Sequence, residues 1–357
     1  MIKKLTTPFG IIVMTLMLSN CTPSLEKVRI IEDFGQNWNF HLGDIKNAQQ
    51  PEFNDRKWRS VDVPHDWSIE GKFSKDHPAG TGGGALPGGI GWYRKTFTLP
   101  NADSTNLVFV DFGGVYMNSE VWINGHFLGK RPYGYSSFRY ELTPHLNANS
   151  ENVLAVKVDN SQQPNSRWYS GSGIYRPVKL VTTGKIYVEH WGTYVKTENV
   201  SKSFADVILE TKISDRSKST DTITLKTKIL DEKGKIVAKQ SATNIDPQEP
   251  VVQNLTVQNP KLWSDDNPNL YKVISQVFAD GKLMDDYTTP LGIRYFKFDP
   301  KMGFSLNGER KKIKGVCLHH DLGALGAAIN VRALERQLEI MKSMGSNAIR
   351  TAHNPPA

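Results

Sequence analysis

Two short stretches near the C-terminal end of the sequence carry polar side chains directly after apolar runs. His319 and His320 follow the first run, while Arg350, His353 and Asn354 close the second run or follow it. Imidazole, guanidinium and amide groups donate and accept hydrogen bonds, so together they can bind a polar ligand. Histidines also ligate metal ions, but neither His-x-x-x-His nor Cys-x-x-Cys occurs in this sequence, so a metal site is the weaker alternative.

The elements that would position these side chains are a strand, a helix and a second strand. Residues 315–318 form a short apolar run that predicts a strand, and residues 347–350 are predicted to form a second short strand. Between them, Asn330 is a suitable helix N-cap and Gly345 a suitable residue just after the helix. Apolar residues recur at helical spacing in the interval: Val331, Leu334, Leu338, Met341 and Met344. This order predicts parallel strands, and in (β/α)8 barrels the active site lies at the C-terminal ends of such strands.

The preceding part of the chain is predicted to be mainly β. Residues 28–184 contain short runs separated by turn residues, and Asn124-Gly125 supplies the two positive-φ positions of a type I′ hairpin. This spacing predicts a jelly-roll β-sandwich. Residues 185–297 repeat the pattern without a helix and predict an immunoglobulin-like β-sandwich. The remaining residues, 298–357, would then hold the strand–helix–strand unit.

Two shorter segments have their own predictions. The glycine-rich stretch 72–91 is predicted to be a long irregular loop, a kind of segment that is often functional in compact domains. Residues 304–306 and 311–313 flank Asn307-Gly308, and we predict that they pair as a small hairpin ahead of the strand–helix–strand unit.

The N-terminus has the pattern of an export signal. Lys3 and Lys4 precede an apolar run over residues 9–18, which is too short to span a membrane. Leu18-Ser19-Asn20-Cys21 at its end is similar to a lipobox, in which the cysteine is acylated after cleavage. We therefore predict a signal peptide over 1–20, a lipid anchor on Cys21 and a linker over 21–27. The protein would be an exported, membrane-anchored lipoprotein in the periplasm or outer membrane of a Gram-negative bacterium; the alternative is an ordinary secretory signal with a chance cysteine.

The charge pattern argues against nucleic acid as a partner. The formal net charge is +8, but the basic residues are scattered and form no long run. Nucleic-acid recognition needs a basic patch or a recognisable module, and the sequence has neither.

Several motifs together resemble glycoside hydrolase family 2, the family of β-galactosidases, β-mannosidases and β-glucuronidases. The motifs are Val63-Pro64-His65-Asp66-Trp67, Val121-Trp122-Ile123-Asn124-Gly125, Arg167–Arg176, Gly315–Gly323 and Asn347–Pro356. The resemblance covers the chain from about residue 28 onward and is strongest to β-galactosidase-like members. It implies the fold order jelly roll, immunoglobulin-like sandwich and TIM barrel, of which this chain would hold only the first βαβ unit.

The resemblance assigns roles to residues at the strand ends. Arg350 resembles the arginine that orients the nucleophilic carboxylate, a task that suits a planar guanidinium fork. His319 and His353 resemble histidines that line the sugar subsite, and Asn354 is a weaker candidate of the same kind. The alternatives are a structural ion pair for Arg350 and satisfied buried histidines for the other two.

Three residues of the first sandwich are further candidates for substrate binding. The family folds the segment with Arg167 and Trp168 against the barrel mouth, so the indole could stack on a sugar ring and the guanidinium could donate to hydroxyls. Their alternative is a buried tryptophan beside a surface arginine. Asp66 is the weakest candidate, for which a structural role is the stronger alternative.

The activity implied by the resemblance is that of a retaining exo-β-glycosidase, and the 315–326 stretch favours a β-galactosidase over a β-glucuronidase or a β-mannosidase. Such enzymes use two carboxylates about 5–5.5 Å apart, and no glutamate of this chain matches them, since both would follow the Arg350 motif. We therefore expect the 357-residue chain to be inactive alone. The alternative is a lipid-anchored carbohydrate-binding module. Magnesium and sodium are ions that the family's galactosidases often use, but no metal-binding residue can be assigned, and the sequence does not indicate an oligomeric state.

Overall fold

The computed structural model describes residues 28–99 and 106–356. The predicted signal peptide and Cys21 lie outside these residues. Within them, no helix is both long and apolar enough to cross a membrane. The first ten strands are β1 Ile30–Asp33, β2 Trp38–Leu42, β3 Arg59–Val61, β4 Gly89–Thr98, β5 Leu107–Phe112, β6 Ser119–Ile123, β7 His126–Arg131, β8 Phe138–Glu141, β9 Glu151–Asn160 and β10 Val178–Thr183.

These ten strands form a sandwich of two antiparallel sheets. One sheet has the order β1-β10-β5-β8, and the other has the order β3-β2-β4-β9-β6-β7. Alternate residues point inward, so that Trp38, Tyr93 and Phe112 are almost fully buried between the sheets. Asn124 and Gly125 both have positive φ (49° and 80°), which confirms the predicted hairpin turn between β6 and β7.

A second sandwich follows directly. Its strands are β11 Ile186–Glu198, β12 Phe204–Asp215, β13 Ile223–Leu230, β14 Ile236–Thr243, β15 Val251–Gln258, β16 Tyr271–Ala279 and β17 Lys282–Leu291. They form the sheets β11-β12-β15 and β14-β13-β16-β17. Leu209, Ile229 and Val273 are fully buried between them. The alternation of buried and open residues along β13 and β16 is the pattern that the sequence predicted for a sandwich.

The two sandwiches are joined by a buried ion pair. Arg29, just before β1, donates from Nε and Nη2 to the two carboxylate oxygens of Asp285 on β17, at 2.9 and 2.7 Å. The side chain of Asp285 is fully buried, and it also accepts the backbone N–H of Val188 at 2.7 Å. This contact links the start of the first sandwich to the last strand of the second.

The last segment contains the short strands β18 Phe296–Asp299, β19 Gly303–Leu306, β20 Glu309–Arg310, β21 Gly315–Leu318 and β22 Ala348–Thr351, with helix α1 Val331–Ser343. The strands β21 and β22 pair in parallel, as the strand–helix–strand pattern predicted. The Asn330 side chain accepts the Ala333 N–H and caps α1, and Gly345 has a φ of 92° just after it. This unit is the start of a TIM barrel, so the chain is mainly β with two sandwiches and one βαβ unit.

The predicted hairpin forms around Asn307-Gly308, but its second strand is Glu309–Arg310 and not 311–313. A two-residue turn pairs the residues that flank it, here Leu306 with Glu309, so the returning strand begins directly after Gly308. The Lys311 N–H still donates to the Phe304 carbonyl at 3.0 Å, while its ammonium pairs with both Asp265 and Asp266, at 2.7 and 2.8 Å.

Candidate functional site

A cluster of three aromatic rings lies at the C-terminal ends of β21 and β22. The ring of Trp168, from the first sandwich, stacks on His353 with centroids 5.6 Å apart and an interplanar angle of 25°. His319 meets both rings edge-on, at 5.1 Å from Trp168 and 5.3 Å from His353. The sandwich and the barrel unit thus contribute to one surface, although more than 150 residues separate Trp168 from His319.

Cationic and polar groups surround these rings. The guanidinium of Arg350 lies 3.4 Å from His353 Nδ1 and 3.6 Å from the sulfur of Cys317, its cross-strand neighbour. The Arg167 guanidinium lies 5.4 Å from the centre of the Trp168 ring, which is a cation–π contact. Arg350 has no carboxylate within 4 Å among the described residues, so its N–H groups can bind an anionic partner.

A buried carboxylate lies next to the site and bonds to Tyr169, the chain neighbour of Trp168. Asp66 is almost fully buried, and its Oδ1 accepts the backbone N–H groups of Ser68 and Ser172 at 3.0 and 2.8 Å. Its Oδ2 accepts the hydroxyl of Tyr169 at 2.5 Å and the N–H of Ala327 at 2.8 Å. Burial and the neighbouring carboxylate raise the pKa of Tyr169, so its hydroxyl stays protonated and donates. We call Asp66 and these four donors the Asp66 clasp.

Two glycines allow the close approach of the segments that form the Asp66 clasp. Gly171 and Gly326 have φ values of 69° and 59°, in the region that favours glycine. A Cβ on either residue would overlap the Asp66 carboxylate. The segment after β21 therefore approaches the first sandwich so closely that only glycine fits at both positions.

The clasp accounts for all four acceptor positions of the Asp66 carboxylate. We therefore favour the structural role for Asp66, while substrate binding by this residue stays a prediction. The other six predicted residues lie around the strand ends: Arg167, Trp168, His319, Arg350, His353 and Asn354. Their binding roles also stay predictions.

Sequence reasoning missed two residues that position this surface. Arg176 is almost fully buried and donates to the carbonyls of Tyr135 and Pro355, at 2.9 and 2.6 Å. It thereby holds the loop that carries His353 against the first sandwich. His320 contacts the rings of Tyr135 and Tyr175 edge-on and lies 3.3 Å from the carbonyl of Ser170. Arg176 belongs to the Arg167–Arg176 motif, but nothing in its spacing indicated a partner 179 residues away.

No metal site can be built from the residues that the structure describes. None of their His, Cys, Asp and Glu side chains form a group of three suited to an ion. His319 and His353 meet through their ring edges and faces. The described residues therefore offer no such group for the magnesium or sodium that the family resemblance implies, and none of them is assigned to either ion.

Two buried histidines predict how stability depends on pH. Burial lowers the pKa of both His65 and His320 below 6.5, against the opposing effect of nearby Glu70 on His65 and Asp321 on His320. In the unfolded chain both would take up a proton near pH 6.5, so the unfolded state binds more protons below that value. Stability is therefore expected to fall as the pH drops below about 6.5, before most carboxylates protonate near 4.

Urea unfolding at pH 7.5, 6.5 and 5.5 measures this dependence. His65→Gln and His320→Gln should each flatten the decline between pH 6.5 and 5.5, whatever they do to stability at pH 7.5. His126→Gln, at an exposed position on β7, is the matched control. If the double variant His65→Gln/His320→Gln still loses stability between pH 6.5 and 5.5, other titrating groups cause the loss.

Two β-sandwiches followed by a parallel βαβ unit define a modular, mainly β class of protein, and the comparisons give the family. Residues 186–294 match the sequence profile "Glycosyl hydrolases family 2", and residues 300–357 match its TIM barrel domain. Residues 53–164 match "Beta-galactosidase second all-beta domain". The chain belongs to glycosyl hydrolase family 2.

Individual relatives agree with this assignment. Beta-galactosidase BoGH2A of Bacteroides ovatus is 53% identical over 94% of this chain and 40% of its own length. A beta-glucuronidase of Formosa agariphila is 34% identical over 91% of this chain and 36% of its own length. A solved beta-glycosidase from Bacteroides vulgatus has a TM-score of 0.87 and 43% identity over 92% of this chain and 42% of that one. The chain thus spans about two fifths of the relatives that it matches.

Proposed function

We propose that this chain forms the substrate-binding front of a retaining exo-β-glycosidase that releases terminal β-linked galactose. The observation that carries this proposal is the group of Trp168, His319 and His353 beside Arg350, at the C-terminal ends of two parallel strands. An aromatic face with imidazole and guanidinium donors around it suits a pyranose, which has apolar C–H faces and polar edges.

Each side chain then has a distinct task. Trp168 packs against a sugar face, while His319, His353 and Asn354 bond to hydroxyls. Arg350 holds the nucleophilic glutamate of a later barrel strand ionised and in position, through a planar pair of N–H bonds. That glutamate forms the covalent glycosyl-enzyme, and a second glutamate acts first as acid and then as base.

The chain by itself is expected to bind sugar without hydrolysing it, because no glutamate of the sequence matches the family's catalytic pair. Galactose is supported by the relative that is 53% identical, which is named a beta-galactosidase. Glucuronides are the competing substrates, because a relative at 34% identity is named a beta-glucuronidase.

Hydrolysis of 4-nitrophenyl β-galactoside and β-glucuronide by the full-length gene product tests the proposal. We expect faster hydrolysis of the galactoside, and a loss of about 100- to 1,000-fold in kcat/KM for Arg350→Ala, the usual effect of losing one preorganised donor group. Arg332→Ala, on the solvent-exposed side of α1, is the matched control. Binding of galactosides with no hydrolysis would instead support a carbohydrate-binding module.

We also propose that the protein is exported and held in the membrane by a lipid on Cys21. The basic pair, the short apolar run and Leu18-Ser19-Asn20-Cys21 support this proposal. Cells that express the protein and are fed labelled palmitate should incorporate the label into the protein. The substitution Cys21→Ser should abolish this incorporation. Equal labelling of the variant would contradict an anchor at this residue.

A further inference from the structure

The first sandwich has an open cleft that the candidate active site does not use. It lies between β2, the residues leading into β3 and the segment after Trp67, and its volume is about 440 Å³. Pockets that hold small ligands commonly measure about 300–1,000 Å³. Trp168, His319, Arg350 and His353 are not among the residues that line this cleft.

Trp58 and His41 line the cleft with half-buried rings, while Trp67 and Phe40, which also line it, are almost fully buried. Trp58 is half-buried and stacks on His41, with centroids 5.4 Å apart and an interplanar angle of 29°. Trp67 stacks on Phe40 at 5.6 Å, and its indole N–H donates to the carbonyl of Gly88 at 3.2 Å. These contacts hold the walls in place before any ligand arrives, which lowers the entropy cost of binding.

A charged pair lies at the rim. Arg59 Nη2 donates to Glu70 Oε2 at 2.6 Å, and the two side chains remain 52% and 41% exposed. The Arg59 guanidinium also lies over the Phe40 ring, and His65 Nε2 lies 3.2 Å from Glu70 Oε1. The pair therefore has fixed positions, while part of each polar group still faces the solvent.

This combination matches the chemistry of a sugar. A pyranose has C–H faces that pack on aromatic rings, and its neighbouring hydroxyls both donate and accept. The free N–H groups of Arg59 and the free lone pairs of Glu70 offer complementary partners side by side. Arg59 and Glu70 neutralise each other, while the exposed Lys57, which also lines the cleft, adds one positive charge.

We propose that this cleft is a second saccharide site, which binds a pyranoside independently of the candidate active site. It would hold part of an oligosaccharide or a neighbouring chain while another end occupies the strand-end site. The proposal does not depend on hydrolysis, so it stands or falls separately from the proposed function.

Binding to the 357-residue chain tests the inference directly. Calorimetric titration with methyl β-galactoside and with a β-linked galacto-oligosaccharide is expected to show two sites. Arg59→Met should weaken one of them about tenfold or more, and Trp168→Ala should weaken the other. Arg216→Met, which breaks a comparably exposed ion pair with Glu141, is the matched control and should change neither.

Further variants keep the result interpretable. Trp58→Ala should abolish the Arg59-dependent site; if this variant does not fold, Arg59→Met and Glu70→Gln still decide the question, because both side chains are half-exposed. Binding that Arg59→Met and Glu70→Gln leave unchanged would overturn the proposal.

Discussion

Replacing Asp285 with alanine is expected to lower the free energy of unfolding by about 3–5 kcal/mol, the usual cost of removing one partner of a buried ion pair. The Arg29 guanidinium would remain in a site where its side chain is only 5% exposed, with the Val188 carbonyl as its remaining partner. The Val188 N–H would lose its acceptor as well. The shift in the urea midpoint, followed by tryptophan fluorescence and circular dichroism, measures this cost.

The matched control is an exposed pair of the same sandwich. Glu232 pairs with Lys261, and the two side chains are 45% and 57% exposed, so Glu232→Ala is expected to cost less than about 1 kcal/mol. The double variant Arg29→Met/Asp285→Leu should recover most of the lost stability, because it removes both charges from the interior. Equal effects of Asp285→Ala and Glu232→Ala would show that the buried pair does not join the two sandwiches.

Local structure was predictable where the side-chain period and the turn residues agreed. The run Leu107–Phe112 is a strand with those bounds, Asn124-Gly125 makes its hairpin turn, and Asn330 caps the helix. Each of these features depends on residues a few positions apart, so the sequence states it directly. The strand bounds at 311–313 were wrong because the two-residue Asn307-Gly308 turn starts the returning strand at Glu309, and the side-chain pattern alone did not give this register.

The candidate site was predictable in its residue types but not in its assembly. The family motifs indicated Trp168, His319 and His353, but the ring stacking that joins them depends on contacts between segments far apart in sequence. The bond from Ala327 to Asp66 spans 261 residues, and the bond from Arg176 to Pro355 spans 179. Residues that only position others have no signature of their own in a single sequence, and the structure identifies them by burial and by their bonds.

The Asp66 clasp predicts a graded series of variants. Asp66→Ala is expected to cost about 4 kcal/mol or more, because four donors lose their acceptor and each buried, unsatisfied donor costs about 1–3 kcal/mol. The stability cost of Asp66→Asn should lie between the costs of Tyr169→Phe and Asp66→Ala. The new side-chain carbonyl can still accept from Ser68 and Ser172, but the amide N–H₂ would oppose the Ala327 N–H. Tyr169→Phe removes one bond and should cost about 1 kcal/mol.

The same series tests whether the clasp positions Trp168. Tyr169 adjoins Trp168 and bonds to Asp66, so a loosened clasp should let the indole leave His353. Galactoside binding at the Trp168-dependent site should therefore weaken in the same order as stability falls, whereas the Arg59-dependent site should keep its affinity. Asp44→Asn, at a half-exposed carboxylate paired with Lys157, is the matched control and should affect neither site. If Tyr169→Phe and Asp66→Asn lower stability but leave Trp168-dependent binding intact, the clasp holds the domains together without orienting Trp168 for sugar binding.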